Sequence, residues 1–172
     1  DTFFQYIPQV VGLYQYVCTP HIPMGMVGEF TVINGGNTQT YVPDAYFENY
    51  LENNGMGNSI PNDEYVTTAN IDTVTYLNVS NQFISDLTGI EDFTALTGLW
   101  CEDNQLTTLD VSSNTDLIEL DCENNQLTTL DVSSNTALKD LRCPGNQLSS
   151  LIFNDDIEIL LCNNNVLTCI DV

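Results

Sequence analysis

Basic residues are almost absent from this chain of 172 residues, which has only Lys139 and Arg142 against 24 acidic residues and a formal net charge of −22. A field of this sign repels nucleic acid and anionic membranes, and it favours cations or basic partners. The simpler interpretation of the charge is a solvated acidic surface rather than a dedicated binding face. No apolar run approaches the ~20 residues of a membrane-spanning helix. We therefore expect no nucleic-acid partner and no membrane span.

Histidine occurs once, at position 21. A catalytic set of nucleophile, histidine and acid would need this residue, which already belongs to another motif, and nothing places a carboxylate pair for acid–base chemistry. We therefore do not expect an enzyme. The chain also lacks a calcium loop of the form D-x-[DN]-x-[DN]-G, an initiator methionine and a secretion signal. Its start is abrupt and its end falls part-way through a repeat, so we expect a processed protein or a fragment.

A period of 21 residues dominates the second half of the chain. Four of the six cysteines recur at one position of this repeat: Cys101, Cys122, Cys143 and Cys162. A cysteine that recurs once per repeat indicates a structural position rather than a disulfide pattern, because buried free cysteine acts as a small apolar residue. Cys169 lies outside the series, and it could pair with Cys162 or with an absent segment.

Each repeat begins with a strand pattern such as Leu120-Asp121-Cys122, in which alternate residues point inward. An asparagine follows where the chain must turn, and its side chain can satisfy backbone groups there. This predicted structural ladder consists of Asn104, Asn125, Asn146 and Asn165. The second half of the repeat, as in residues 109–115, is predicted to be extended or turn. One repeat cannot bury its apolar face alone, so about five repeats stack into a solenoid.

The pattern L-x-C-x-x-N-x-L at this period resembles the leucine-rich repeat, in particular the 21-residue bacterial repeats of Flavobacterium-type surface and secreted proteins. The resemblance covers residues 76–172. It implies an extracellular, cell-surface or periplasmic protein whose solenoid binds a protein or glycan ligand.

Residues 37–75 are predicted to be a linker and the N-terminal cap that a solenoid needs. A short amphipathic helix is predicted within residues 42–52, with Asp44 as its N-cap and an end at 53–55. Its apolar face comprises Phe47, Tyr50 and Leu51.

Residues 1–36 do not follow the repeat pattern. Strands predicted at 12–17 and 28–33 flank a loop that carries a thiol, an imidazole and a thioether. These three groups belong to Cys18, His21 and Met26. They amount to three of the four ligands of a blue-copper site, and the missing ligand is a second histidine.

The run Gly-x-Tyr-x-Tyr-x-Cys-x-Pro-His, followed by Gly-Met-x-Gly, resembles the C-terminal part of a plastocyanin-like cupredoxin. The resemblance implies the last two strands of a β-sandwich around type I copper. Cys18 would be the thiolate ligand, His21 the exposed imidazole that passes electrons, and Met26 the weak axial ligand. The earlier strands and the second histidine are missing. The chain is then a fragment, which we favour, or a partner supplies the missing part, or the hairpin is a relic packed on the cap.

The expected fold is therefore mainly β: a leucine-rich repeat solenoid with a helical N-terminal cap, preceded by the hairpin that ends a cupredoxin sandwich. The expected function is a secreted or surface copper-binding protein of the electron-transfer type, with a redox partner protein and a repeat domain for interactions. The alternative is a non-catalytic surface binding or adhesion module in which the cupredoxin remnant is purely structural.

Overall fold

The computed structural model describes residues 12–17, 27–32 and 38–171, with side chains from 38 to 168. The chain divides into two compact units, and the division falls between Thr38 and Gln39. This boundary lies two residues beyond the predicted end of the N-terminal domain.

The first unit contains an antiparallel pair of strands. Strand β1 is Gly12–Val17 and strand β2 is Val27–Val32, so β2 begins one residue before the predicted position. The pair nearest the intervening residues 18–26 joins Val17 to Val27. The three predicted copper ligands lie outside the described residues: Cys18, His21 and Met26. The cupredoxin origin of this hairpin stays a prediction.

The second unit opens with a small cap. Strand β3, Gln39–Tyr41, pairs antiparallel with strand β4, Tyr65–Thr67, and helix α1, Ala45–Asn53, lies between them in the chain. Phe47 and Leu51 on the helix are fully buried, because they cover the apolar end of the first repeat.

Helix α1 begins after Asp44, which is its N-cap as predicted from the sequence. The Asp44 Oδ1 atom accepts hydrogen bonds from the amides of Tyr46 and Phe47, at 2.9 and 3.0 Å. This satisfies donors that a helix N-terminus otherwise leaves unpaired. The apolar pattern did not reveal that Glu48 is buried, with 2% of its surface exposed. The Glu48 carboxylate accepts the amide of Asp63 at 3.0 Å and so ties the helix to the loop before β4.

The repeats form a β-solenoid of two parallel sheets. The first sheet has one strand per repeat: β5 Tyr76–Asn78, β6 Gly98–Trp100, β7 Glu119–Asp121, β9 Asp140–Arg142 and β11 Ile159–Leu161. The second sheet has three strands: β8 Thr129–Asp131, β10 Ser150–Ile152 and β12 Cys169–Asp171. Parallel strands need a crossover, and here each crossover is the other half of a repeat.

The central residue of each strand in the first sheet is a leucine, and the register aligns these leucines from strand to strand. Leu99, Leu120 and Leu141 are almost completely buried. Residues on either side of each leucine point outward, since side chains alternate along a strand. The core therefore fills the inside of the solenoid, and the outward positions of the first sheet form a regular array. No helix among the described residues is long and apolar enough to cross a membrane.

Candidate functional site: the outer face of the first sheet

The asparagine ladder fixes the turn that follows each strand of the first sheet. The Asn125 Oδ1 atom accepts the amide of Leu106 in the preceding repeat at 2.9 Å. Its Nδ2 atom donates to the carbonyls of Cys101 and Cys122, at 3.0 and 3.2 Å. The same contacts to the preceding repeat and to the residue's own repeat recur at Asn104, Asn146 and Asn165. The ladder thus locks neighbouring repeats together and holds the sheet rigid.

A second asparagine ladder, which the sequence reasoning missed, runs along the opposite turn. Asn135 is fully buried, and its Nδ2 atom donates to the carbonyls of Val111 and Asn114 at 2.8 and 2.9 Å. Asn114 and Asn154 occupy the same position in their repeats. The signal was present, because Asn114 and Asn135 are 21 residues apart, as in the first ladder.

The repeat cysteines also stack, and their surroundings suppress thiol chemistry. Cys101, Cys122 and Cys143 are buried free thiols, and Cys162 is half-buried. Burial raises the pKa of Cys143 to about 12 and the pKa of Cys122 well above its usual range. A thiol that stays protonated is a poor nucleophile and metal ligand. The side chain of Cys169 lies outside the described residues, so its pairing stays a prediction.

Two aspartates on the other half of the repeat serve the turns. The Asp131 Oδ1 atom accepts the amide and the hydroxyl of Ser133, at 3.0 and 2.6 Å, and Asp110 accepts the amide of Ser112 at 3.0 Å. The serine hydroxyl and amide lower the pKa of both carboxyl groups. The groove of about 740 Å³ that these residues line is polar, and its carboxylates are used in turns.

The outer face of the first sheet carries an aromatic pair. The rings of Tyr76 and Trp100 stack with their centroids 5.6 Å apart and their planes inclined by 17°. Gly98 makes this possible, because a methyl group there would lie 2.5 Å from the ring of Tyr76. Tyr76 is 57% exposed and Trp100 is half-buried. The chain thus holds a flat aromatic surface open to solvent.

Acidic residues dominate the middle of the same face. Most outward positions from Trp100 to the fourth strand of the sheet are carboxylates, and Arg142 lies opposite Asp121 in the register. The carboxylates belong to Glu102, Glu119, Asp121, Glu123 and Asp140. The guanidinium of Arg142 binds Asp140 through two hydrogen bonds of 3.0 and 2.8 Å. Farther along the sheet, Ile159 and Leu161 are again apolar and about half exposed. The face therefore combines apolar ends with an acidic centre.

A blue-copper site is only partly supported by the residues of this chain. Residues 18–26, which carry the predicted ligands, lie between β1 and β2 in the chain and outside the described residues. A complete set needs two histidines, and the chain has one. Among the described residues, no group of three or more histidine, cysteine or acidic side chains could hold a metal ion. Copper binding stays a prediction for residues 18–26.

No family model matches the chain. The repeats are similar to those of internalins from Listeria monocytogenes. Internalin J of Listeria monocytogenes serotype 4b (strain F2365) is 36% identical over 85 residues, which is 49% of this chain and 9% of internalin J. The solved functional domain of InlJ from Listeria monocytogenes includes a cysteine ladder. That domain aligns with 79% of this chain at 29% identity and a TM-score of 0.54.

The repeat unit is similar to the internalin J repeat domain. A second solved structure, an internalin (InlF) from Listeria monocytogenes str. 4b F2365, has a TM-score of 0.53 at 24% identity over 67% of this chain, and it shares the fold. The chain covers only 36% of the InlJ domain and 38% of InlF. The predicted leucine-rich repeats and β-solenoid are confirmed, and the resemblance to Flavobacterium-type repeats stays a prediction.

The residues of the outer face were not singled out as functional by the sequence reasoning. Trp100 and Asp121 lie 21 residues apart and meet only because two parallel strands align them. The available signal was the alternation within each strand pattern, which assigns residues on either side of the buried leucine to the outside.

Proposed function

We propose that this protein is a non-catalytic surface module that binds a protein partner through the outer face of its first sheet. One observation carries the proposal: large apolar side chains on the outer face of a regular sheet are exposed or, at Trp100, half-buried. They are Tyr76, Trp100, Ile159 and Leu161. Exposed apolar groups gathered on one face mark interaction sites, and tyrosine and tryptophan are enriched in protein interfaces.

The architecture suits this role. Stacked repeats create an extended surface whose shape is set by hydrogen bonds within the solenoid, so binding requires little ordering of the backbone. Similarity to the internalin J repeat domain supports a binding module located at the cell surface or outside the cell. The buried thiols and the turn aspartates of the repeats have structural partners, which favours binding over catalysis at these positions.

The copper-dependent function has less support than the binding module. Its residues lie at 18–26, outside the described part, and the single histidine leaves the ligand set incomplete. The alternative stated from the sequence, a surface binding or adhesion module, agrees better with the repeat similarity.

Affinity capture with matched variants tests the proposal. Immobilised full chain is exposed to solubilised surface proteins from bacterial and animal cells, and the retained proteins are quantified by mass spectrometry. Trp100→Ala removes an aromatic side chain from the face, and Phe83→Ala removes one that is 60% exposed in the turn after β5. Proteins kept by the wild type and by Phe83→Ala but lost by Trp100→Ala support the proposal. Equal retention by all three proteins, or no specific retention, contradicts it.

A further inference from the structure

A compact group of side chains joins the aromatic pair to the acidic centre of the face. We call Trp100, Glu102, Asp121 and Glu123 the Trp100 cluster. Trp100 lies opposite Asp121 in the parallel register of β6 and β7. The pairing continues past the strands, because the amide of Asp103 donates to the carbonyl of Glu123 at 3.0 Å. Glu102 and Glu123 therefore lie side by side, two residues beyond Trp100 and Asp121 on the same outward face.

The carboxylates of the cluster repel one another, and the basic side chain that lies opposite Asp121 in the register, Arg142, is hydrogen-bonded to Asp140 outside the cluster. Burial raises the pKa of Asp121, and the charges of Glu102 and Glu123 raise it further, against the opposing effects of the Glu123 amide and Arg142. The Glu102 Oε2 atom is buried and has no hydrogen-bond partner among the described residues. The Glu102 side chain as a whole is only partly buried, so an incoming N–H donor can satisfy this oxygen.

Neither of the two basic side chains donates a hydrogen bond to a carboxylate of the Trp100 cluster. Arg142 is held by the bidentate contact with Asp140. The Lys139 Nζ atom donates to the carbonyl of Asp156 at 3.1 Å and lies 4.0 Å from Glu158, toward the next turn. The cation must therefore come from outside the described part of the chain.

The chemistry of the cluster selects the kind of cation. A lysine ammonium or an arginine guanidinium can stand over the face of tryptophan and donate to carboxylates at the same time. A bound metal ion is a poorer match, because no three acidic, histidine or cysteine side chains among the described residues converge closely enough to hold one. The net charge of −22 also draws basic segments toward the protein.

We propose that the Trp100 cluster receives a lysine or arginine side chain from a basic segment of a protein partner, with the cation over Trp100 and its N–H groups donating to Glu102 and Asp121. This inference rests on the proposed function and names the chemistry of the partner. Tyr76 supports the indole of Trp100 from the neighbouring strand and completes the aromatic wall of the site.

A short basic peptide tests this inference directly. The probe is acetylated tetralysine amide with a neutral fluorophore, and its binding to the full chain is followed by fluorescence anisotropy at about 0.15 M salt, where the Debye length is ~8 Å. We expect Glu102→Gln and Asp121→Asn each to weaken binding roughly tenfold, because each removes a charged acceptor. Trp100→Leu keeps every charge, and we expect it to weaken binding about threefold or more.

The matched control is Asp116→Asn, which removes one charge at an exposed turn residue in the second half of the repeat that precedes Asp121. Weakening below about twofold is expected there, because screening limits the effect of a distant charge. The inference is overturned if Asp116→Asn and Asp121→Asn weaken binding equally, since that outcome shows only attraction to net charge. It is also overturned if the wild type does not bind the peptide.

Stability separates a binding role from a structural role. The folded-state pKa of Asp121 lies above its unfolded value, so its ionisation as pH rises through that range destabilises the fold. Asp121→Asn removes this effect, and we expect equal or higher thermal stability near neutral pH together with weaker peptide binding. A loss of stability that parallels the loss of binding would indicate a structural role and count against the inference.

Partner capture distinguishes failure of this inference from failure of the proposed function. If Trp100→Ala abolishes capture of a partner while Glu102→Gln retains it, the sheet face binds protein but the cation site is wrong. If neither variant changes capture, the proposed binding face itself is wrong.

Discussion

Asn125 offers an isosteric test of what holds neighbouring repeats together. Its carboxamide is 7% exposed, and it joins the amide of Leu106 to the carbonyls of Cys101 and Cys122. Asn125→Asp keeps the shape and retains an acceptor for Leu106. The change removes both N–H donors and directs a carboxylate oxygen at two carbonyl oxygens. The variant therefore separates hydrogen-bond donation from packing.

The expected cost follows from which groups lose their partners. In Asn125→Ala the buried amide of Leu106 is left without an acceptor, which costs about 1–3 kcal/mol. The two cysteine carbonyls each keep one donor, from Asn104 at 3.1 Å and from Asn146 at 2.9 Å, so each lost bond adds about 0.5–1.5 kcal/mol. Together these terms lower the free energy of unfolding by about 2–6 kcal/mol. Asn125→Asp should cost at least as much at neutral pH, because it also buries a charge.

The pH dependence of Asn125→Asp has a definite sign. Burial and the facing carbonyls raise the folded-state pKa of the introduced carboxyl group above its unfolded value of about 3.9. The destabilisation relative to the wild type should therefore shrink as pH falls through that raised pKa, since the protonated group can again donate a hydrogen bond.

Urea unfolding at pH 7 and pH 5, with hydrogen exchange mapped by mass spectrometry, measures both effects. Repeat arrays can unfold in parts, so the exchange data locate the loss, which should be greatest in the repeats that contain Leu106 and Asn125. Asn163→Asp is the matched control, because Asn163 is exposed and its side chain makes no hydrogen bond to any described residue. We expect less than about 0.5 kcal/mol there. Equal effects of Asn125→Asp and Asn163→Asp would refute the reasoning.

Three other predictions concern the aromatic pair, the thiols and the N-terminal loop. Gly98→Ala should displace the ring of Tyr76 and weaken the near-ultraviolet circular dichroism of the stacked pair. If the sheet must shift to accommodate the methyl group, the free energy of unfolding should fall by about 1–3 kcal/mol. An unchanged spectrum would contradict the stacking. In native protein, Cys122 should resist alkylation while Cys162 reacts at least tenfold faster, because Cys122 is fully buried with a strongly raised pKa whereas Cys162 is only half-buried. Peptide mass spectrometry after short iodoacetamide pulses measures the ratio, and equal rates would show that Cys122 is accessible to the reagent. Addition of Cu(II) should produce an intense visible charge-transfer band that Cys18→Ser abolishes if the predicted blue-copper loop binds copper, and a colourless wild type would argue against copper in this chain.

The fold of the repeats could be predicted because each repeat applies the same local rules. Leucine alternation specifies the strands, and an asparagine once per period specifies the turn. Asp44 could be identified as a helix cap because its role depends on residues two and three positions away. The N-terminal copper loop differs, since a metal site depends on ligands from distant strands, and its prediction stays open.

The sequence by itself determined the period, the buried leucine and cysteine positions, the first asparagine ladder and the capped helix, because each depends on neighbours within about one repeat. Tertiary structure alone decided which outward side chains of different repeats become neighbours on the outer face. Trp100 meets Asp121 across a strand pair, and Tyr76 lies flat over Gly98 because the register aligns them. It also buried Glu48 against a loop amide fifteen residues away. These contacts depend on how successive repeats stack in space, which no spacing along the chain specifies.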